Sequence, residues 1–151
     1  MTLFVIWITT FGVCVAGSLI PLINCEIYLL GVVALAPPQF VLPLVIAAAL
    51  GQTVGKVLMY FAGGGMLKLP FKRVQRGLEV TQAKMEARPT WGKFLFFCSA
   101  VFSFPPLYVM ALAAGAVRMN FAFFVVACGV GRFLHFAAVA MLPGLWQRLF
   151  G

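Results

Sequence analysis

Apolar residues run along this chain in long blocks, not in alternating stripes. Residues 1–25, 27–55, 94–117, 119–131 and 133–147 contain no Asp, Glu, Lys or Arg. Blocks of that length suit helices lying in lipid, where about 20 apolar residues cross the hydrocarbon. Breaks punctuate them. Pro21 and Asn24 interrupt the first block just before Glu26, and Pro37-Pro38 makes a turn before a full-length span over Gln39–Ala62. In the second half, Pro105-Pro106 interrupts the block that starts at Phe94. Arg118-Met119-Asn120 then makes a turn, and Phe121–Leu142 follows as a full-length span. Each half therefore predicts a broken helical hairpin followed by a spanning helix. One domain is expected, with a first repeat over 1–63, a hydrophilic loop over 64–93, a second repeat over 94–142 and a tail over 143–151.

The spanning helices share local sequence. Gly55-Lys56-Val57-Leu58-Met59-Tyr60 matches Gly131-Arg132-Phe133-Leu134-His135-Phe136 in the order glycine, cation, leucine, aromatic. If each hairpin enters and leaves by one side, each half crosses the membrane once, in opposite senses. The expected fold is thus an all-α polytopic membrane protein of two inverted repeats, each a broken re-entrant hairpin plus a spanning helix, with the breaks meeting near the midplane. Irregular backbone at that depth is tolerated only against protein or water. Leu3–Ile20 is long enough to span alone, and the sequence leaves open whether it does.

Composition sharpens the picture. Hydrophobic residues make up 64% of the chain and charged residues 9%, with a mean hydropathy of +1.08. That balance excludes a soluble enzyme, a disordered tail and a disulfide-rich secreted module. Eleven Lys and Arg stand against three Asp and Glu. Lys68, Lys72, Arg73, Arg76, Lys84, Arg88 and Lys93 fall within Gly64–Lys93, alongside Glu79 and Glu86. The positive-inside rule places this loop in the cytoplasm and both termini outside, which suits a multi-pass protein of a cell (inner) membrane. Within the loop, Phe71, Val74, Leu78 and Met85 recur at helical spacing, with Pro70 as a helix start. They predict an amphipathic helix on the anionic inner leaflet rather than a nucleic-acid-binding element. Cys14, Cys25, Cys98 and Cys128 are widely spaced, with no CxxC pair, and read as small buried hydrophobes. The N-terminal apolar run has no basic residue before it, unlike a signal peptide.

A few polar residues lie inside the apolar blocks. Glu26 is the only acidic residue outside the loop. Placed after a break, its carboxylate meets a favourable helix dipole and an unfavourable burial, opposed pulls that suit a proton carrier. Arg132 sits near the middle of its span, where a bare guanidinium costs at least ~2.5 kcal/mol. It needs a carboxylate, a phosphate or water, and Glu26 is the available carboxylate. His135 lies three residues on, on the same helix face; its rival role is a buried histidine bonded to backbone. Lys56 reads either as a headgroup ligand or as a lysine snorkelling to the inner interface. Arg118 suits a headgroup site or an interfacial anchor. Ala47, Gly51 and Gly55 form a small-residue stripe for close helix packing, and Gly129 and Gly131 do the same beside Arg132. No catalytic set, metal cluster or cofactor motif is present, so neither an enzyme nor a cofactor is expected.

The chain resembles the DedA family, also called the VTT or SNARE-associated Golgi protein superfamily, and within it the small YqaA-like branch. The resemblance rests on Pro21 with Glu26, Gly51-Gln52-Thr53-Val54-Gly55 with Tyr60 and Gly63, Trp91-Gly92, Pro105-Pro106-Leu107-Tyr108 with Ala114-Gly115, and Phe124 with Gly131-Arg132. It spans about residues 18–140. It implies two opposed re-entrant hairpins packed with spanning helices, lipid movement across the bilayer, and embedded acidic and arginine residues linked to the proton-motive force. Bacterial members are implicated in returning undecaprenyl phosphate to the inner leaflet, and some eukaryotic relatives scramble phospholipids. This chain departs from the pattern in three places. It lacks a second early acidic residue, has Phe104 where an acid often precedes the proline, and has His135 at a position that is often basic.

The combined expectation is a transporter of an anionic lipid, with a polyprenyl phosphate as first candidate. Lys56, Arg132, Arg118 and His135 would serve the headgroup. Glu26 would pair with Arg132 in the empty site and take a proton when lipid competes. Pro21, Pro105 and Pro106 would hold the hairpins broken. The rivals are a phospholipid scramblase, a proton or ion antiporter and a non-transporting membrane scaffold. Membrane lipids are the expected partners, and a homo-oligomer is compatible with the sequence.

Overall fold

The computed structural model describes residues 2–20, 23–66 and 72–150. Pro21, Pro70 and Phe71 lie outside the described residues. Among those described the chain forms seven α-helices and no strand. The first half carries α1 (Thr2–Leu19), α2 (Cys25–Leu35) and α3 (Val41–Phe61). A 3-10 turn, Pro38–Phe40, leads into α3, and a π turn, Ala62–Met66, follows it. Then come α4 (Lys72–Ala87), α5 (Pro89–Phe102), α6 (Leu107–Ala116) and α7 (Phe121–Phe150).

Local chemistry sets these boundaries. The Asn24 side chain accepts from the backbone N–H groups of Glu26 and Ile27 and so starts α2. Ala36 precedes Pro37 and is extended, at ψ 142°, which stops α2. Asn120 caps α7 in the same way, accepting from Phe123 at 3.0 Å. Between α5 and α6 the helix is interrupted over Ser103–Pro106. Ser103 adopts a left-handed conformation, at φ 60°, and the buried Ser99 hydroxyl donates to the carbonyl of Pro105.

Two boundaries differ from expectation. α5 starts at Pro89, ahead of Phe94, because proline fits the first helical turn, where no N–H partner is needed. α7 does not end at Leu142 but passes through Pro143. That proline forfeits one hydrogen bond of a long helix, and the apolar residues beyond it continue the spiral.

Pro38–Gly65 and Phe121–Leu145 are long and apolar enough to cross a membrane. Leu3–Leu19, Cys25–Leu35 and Leu107–Ala116 are apolar but shorter. Large apolar side chains face outward along α1, α2, α3, α5 and α7 and at the breaks between them, with Leu35 90% and Phe104 81% exposed. A water-facing surface does not sustain that density; a lipid-facing one does.

Glycines bring the helices close. A Cβ at Gly51 would strike the Phe11 carbonyl and Cys14 of α1, and one at Gly55 would strike Ser18. Gly131 similarly fits α7 against Ala100 of α5. At the crossing of the π turn with α6, Gly63 faces the Leu112 carbonyl while Gly115 faces that of Tyr60. Two buried clusters result. One gathers Cys14, Cys25, Leu29, Val33, Leu44, Val45 and Phe136. The other gathers Met85, Phe96, Ala100, Leu107, Met110 and Phe124, with Val57 and Tyr60 packed on it.

A candidate anion site where the helix breaks meet

The break before α2 and the break before α6 open onto one cavity of about 280 Å³. Asn24, Cys25 and Glu26 line it from the first; Ser103, Pro106, Leu107 and Tyr108 line it from the second. Gln52 and Lys56 enter from α3, and Arg132 and Phe136 from α7. A larger cavity of about 440 Å³, between the start of α1 and the end of α2, has an almost wholly apolar wall and no charged residue on it. The chemistry lies in the smaller one.

Two buried cations dominate this site. Lys56 is 4% exposed, and its Nζ donates to the Ser18 carbonyl at 3.0 Å. It is therefore not a snorkelling lysine: the approach of α1 over Gly55 covers it. Arg132 is 7% exposed, and its Nη1 donates to the Ser103 hydroxyl at 3.1 Å. Its Nε is buried with no hydrogen-bond partner. The Phe136 ring lies 5.8 Å from the guanidinium carbon. The two cations line one cavity, and among the described residues neither lies within ion-pair distance of a carboxylate. Buried cations without a directly paired counter-charge are costly, and two line this cavity.

Glu26 takes a different partner from the one the sequence suggests. Asn24 already satisfies the free N–H groups at the start of α2, and the Glu26 carboxylate reaches across to His135, with Oε1 and Nε2 2.8 Å apart. The other ring nitrogen, Nδ1, lies 2.7 Å from the Val101 carbonyl. A carbonyl only accepts, so Nδ1 carries a hydrogen. Nε2 and Oε1 then approach this closely only with one proton between them, whether drawn as imidazolium with carboxylate or as imidazole with carboxylic acid. His135 thus makes the backbone bond that rivalled a headgroup role, together with a contact to Glu26 that the sequence did not suggest.

The other candidates disperse. Arg118 is in a left-handed turn, at φ 51°. It borders a separate cavity with Glu86, Lys93 and Met119, so it does not join Lys56 and Arg132. Pro106 lines the site, while Pro105 is held through its carbonyl by Ser99. Gly51, Gly55 and Gly131 lie at helix contacts, away from the chemistry. Sequence reasoning missed Ser103 as the Arg132 acceptor, and Gln52 and Cys25 as polar wall. Gln52 had a signal, for it lies one turn before Lys56 on the same helix face. Comparison with family models, with curated proteins and with solved structures finds no match.

Proposed function

We propose that this chain is a membrane transporter of the DedA type that moves an anionic lipid across the bilayer, with a polyprenyl phosphate as substrate. One observation carries the reading: two buried cations, Lys56 and Arg132, share a cavity without a carboxylate on either, and the Arg132 Nε has no partner. Ser103 occupies Nη1, which leaves the Nε edge for a bidentate grip on phosphate oxygens. The helix lengths support the re-entrant reading. α2 and α6, with 11 and 10 residues, reach about 15 Å, half of the roughly 30 Å hydrocarbon core. The order of helix, break, short helix and long helix recurs in both halves, which supports a repeat. The excess of Lys and Arg in 64–93 supports a cytoplasmic side for this segment at an inner membrane. The contact of Glu26 with His135, on the wall that carries the cations, supports a coupling of headgroup binding to proton movement.

The test is flipping of a labelled polyprenyl phosphate in liposomes, with and without a pH gradient. Arg132→Ala should insert normally and abolish flipping. Arg132→Lys keeps the charge, loses the fork and should weaken headgroup binding about tenfold or more, on the scale of one charge-assisted hydrogen bond. Lys56→Ala should be nearly as severe as Arg132→Ala, since this lysine is buried in the site. Wild-type flipping by Arg132→Ala would sink the proposal, and equal flipping of neutral-headgroup lipids would turn it into a scramblase.

A further inference from the structure

The cavity holds a nucleophile that headgroup binding does not use. Cys25 opens α2 on the cavity wall. Its sulfur accepts from Gln52 Nε2 at 3.0 Å, and Lys56 and Arg132 line the same cavity. Thiolates are stabilised by such surroundings, and the thiolate is the reactive form. The partnerless Nε of Arg132, on a side chain more than nine-tenths buried, gives the same wall unused capacity for an anion. Behind Cys25 lies a second thiol. Cys14 is fully buried, and the Cys25 sulfur lies 3.9 Å from its carbonyl. Gly17 leaves room for this approach, since a Cβ there would overlap the Cys25 sulfur.

We propose that Cys25 is a modification site, a reactive thiol that takes anionic thiol-directed electrophiles and hydroperoxides, with Cys14 as its resolving partner. The Cys25 thiolate attacks the O–O bond of a hydroperoxide. A sulfur–oxygen bond forms, and the departing alkoxide or hydroxide takes up a proton. The Cys14 sulfur then attacks the sulfenic acid at Cys25, a disulfide forms and water leaves. Two thiols lose two electrons, and the hydroperoxide is reduced to alcohol and water. The product ties α1 to the first residue of α2, next to Glu26. The inference rests on the cationic cavity that headgroup binding also uses.

The experiment uses the full chain in nanodiscs, where both membrane faces are open to reagent. Cys25 is labelled with sulfonatoethyl methanethiosulfonate, an anion, or with the trimethylammonium analogue, a cation, and followed by peptide mass spectrometry. The anionic reagent should react at least about tenfold faster, and the difference should vanish in Lys56→Gln/Arg132→Gln. Hydrogen peroxide should join residues 14 and 25; Cys14→Ser should instead leave a sulfenic acid that a cyclic diketone traps. Equal labelling rates, a faster cation, or a Cys25 that stays inert until the protein is unfolded would each overturn the proposal. Slowing by inorganic phosphate separates the two readings: charge selectivity without that slowing removes the headgroup reading and upholds the thiol site.

Discussion

His135 is gripped at both ring nitrogens, by the Val101 carbonyl and by Glu26. A double-mutant cycle measures the second contact. Glu26→Gln and His135→Gln should be non-additive in stability, with a coupling of about 0.5–1 kcal/mol, the small size reflecting a carboxylate 41% exposed. The corresponding cycle between Glu26 and Arg132 should be additive. Strong coupling there would restore the pairing the sequence suggested. The reason that pairing fails is axial. Arg132 and His135 share a helix face but differ by about 4.5 Å in height, and Asn24 fixes where α2 begins. Charge placement was therefore legible, since an arginine in a charge-free block declares itself. Its partner was not: Ser103 is 29 residues away and enters only through the left-handed turn of the α5–α6 break.

Among the elements, breaks and glycines do most to place the site. Proline and asparagine positions revealed both interruptions and the turns before α3 and α7. The extents of α5 and α7 were less legible, because proline is read as a stop and in these helices serves as a start or an interior residue. The stripe of Gly51 and Gly55 signalled close packing without naming its partner, which is α1. Gly55→Leu should force α1 away from α3, expose Lys56 and cost roughly 1–3 kcal/mol, seen as a lower melting temperature in detergent. Gly12→Ala is the control. No atom lies within 4 Å of its added methyl, so it should be neutral or stabilise by a few tenths of a kcal/mol. A Gly55→Leu protein as stable as the parent would show that the α1–α3 contact is not close.

At the scale of the molecule, the proposed orientation rests on the basic segment around α4 and the uncharged N-terminal block. A cysteine added at the C-terminus should be labelled by an impermeant reagent in intact cells. Labelling only after the inner face is opened would overturn the inverted arrangement. The two cores add something else. Phe136, from the last helix, is fully buried in the cluster built mainly by α1–α3. Tyr60, from α3, packs into the cluster of α4–α7, where its hydroxyl donates to the Met119 carbonyl at 2.6 Å. Each half thus completes the other's interior with an aromatic ring, as the subunits of an obligate dimer do. As separate chains the two halves would have to find each other by diffusion in the bilayer. Carried on one chain, they meet at an effective concentration on the order of millimolar, and the segment between them adds Met85 and Leu78 to the second core besides its length.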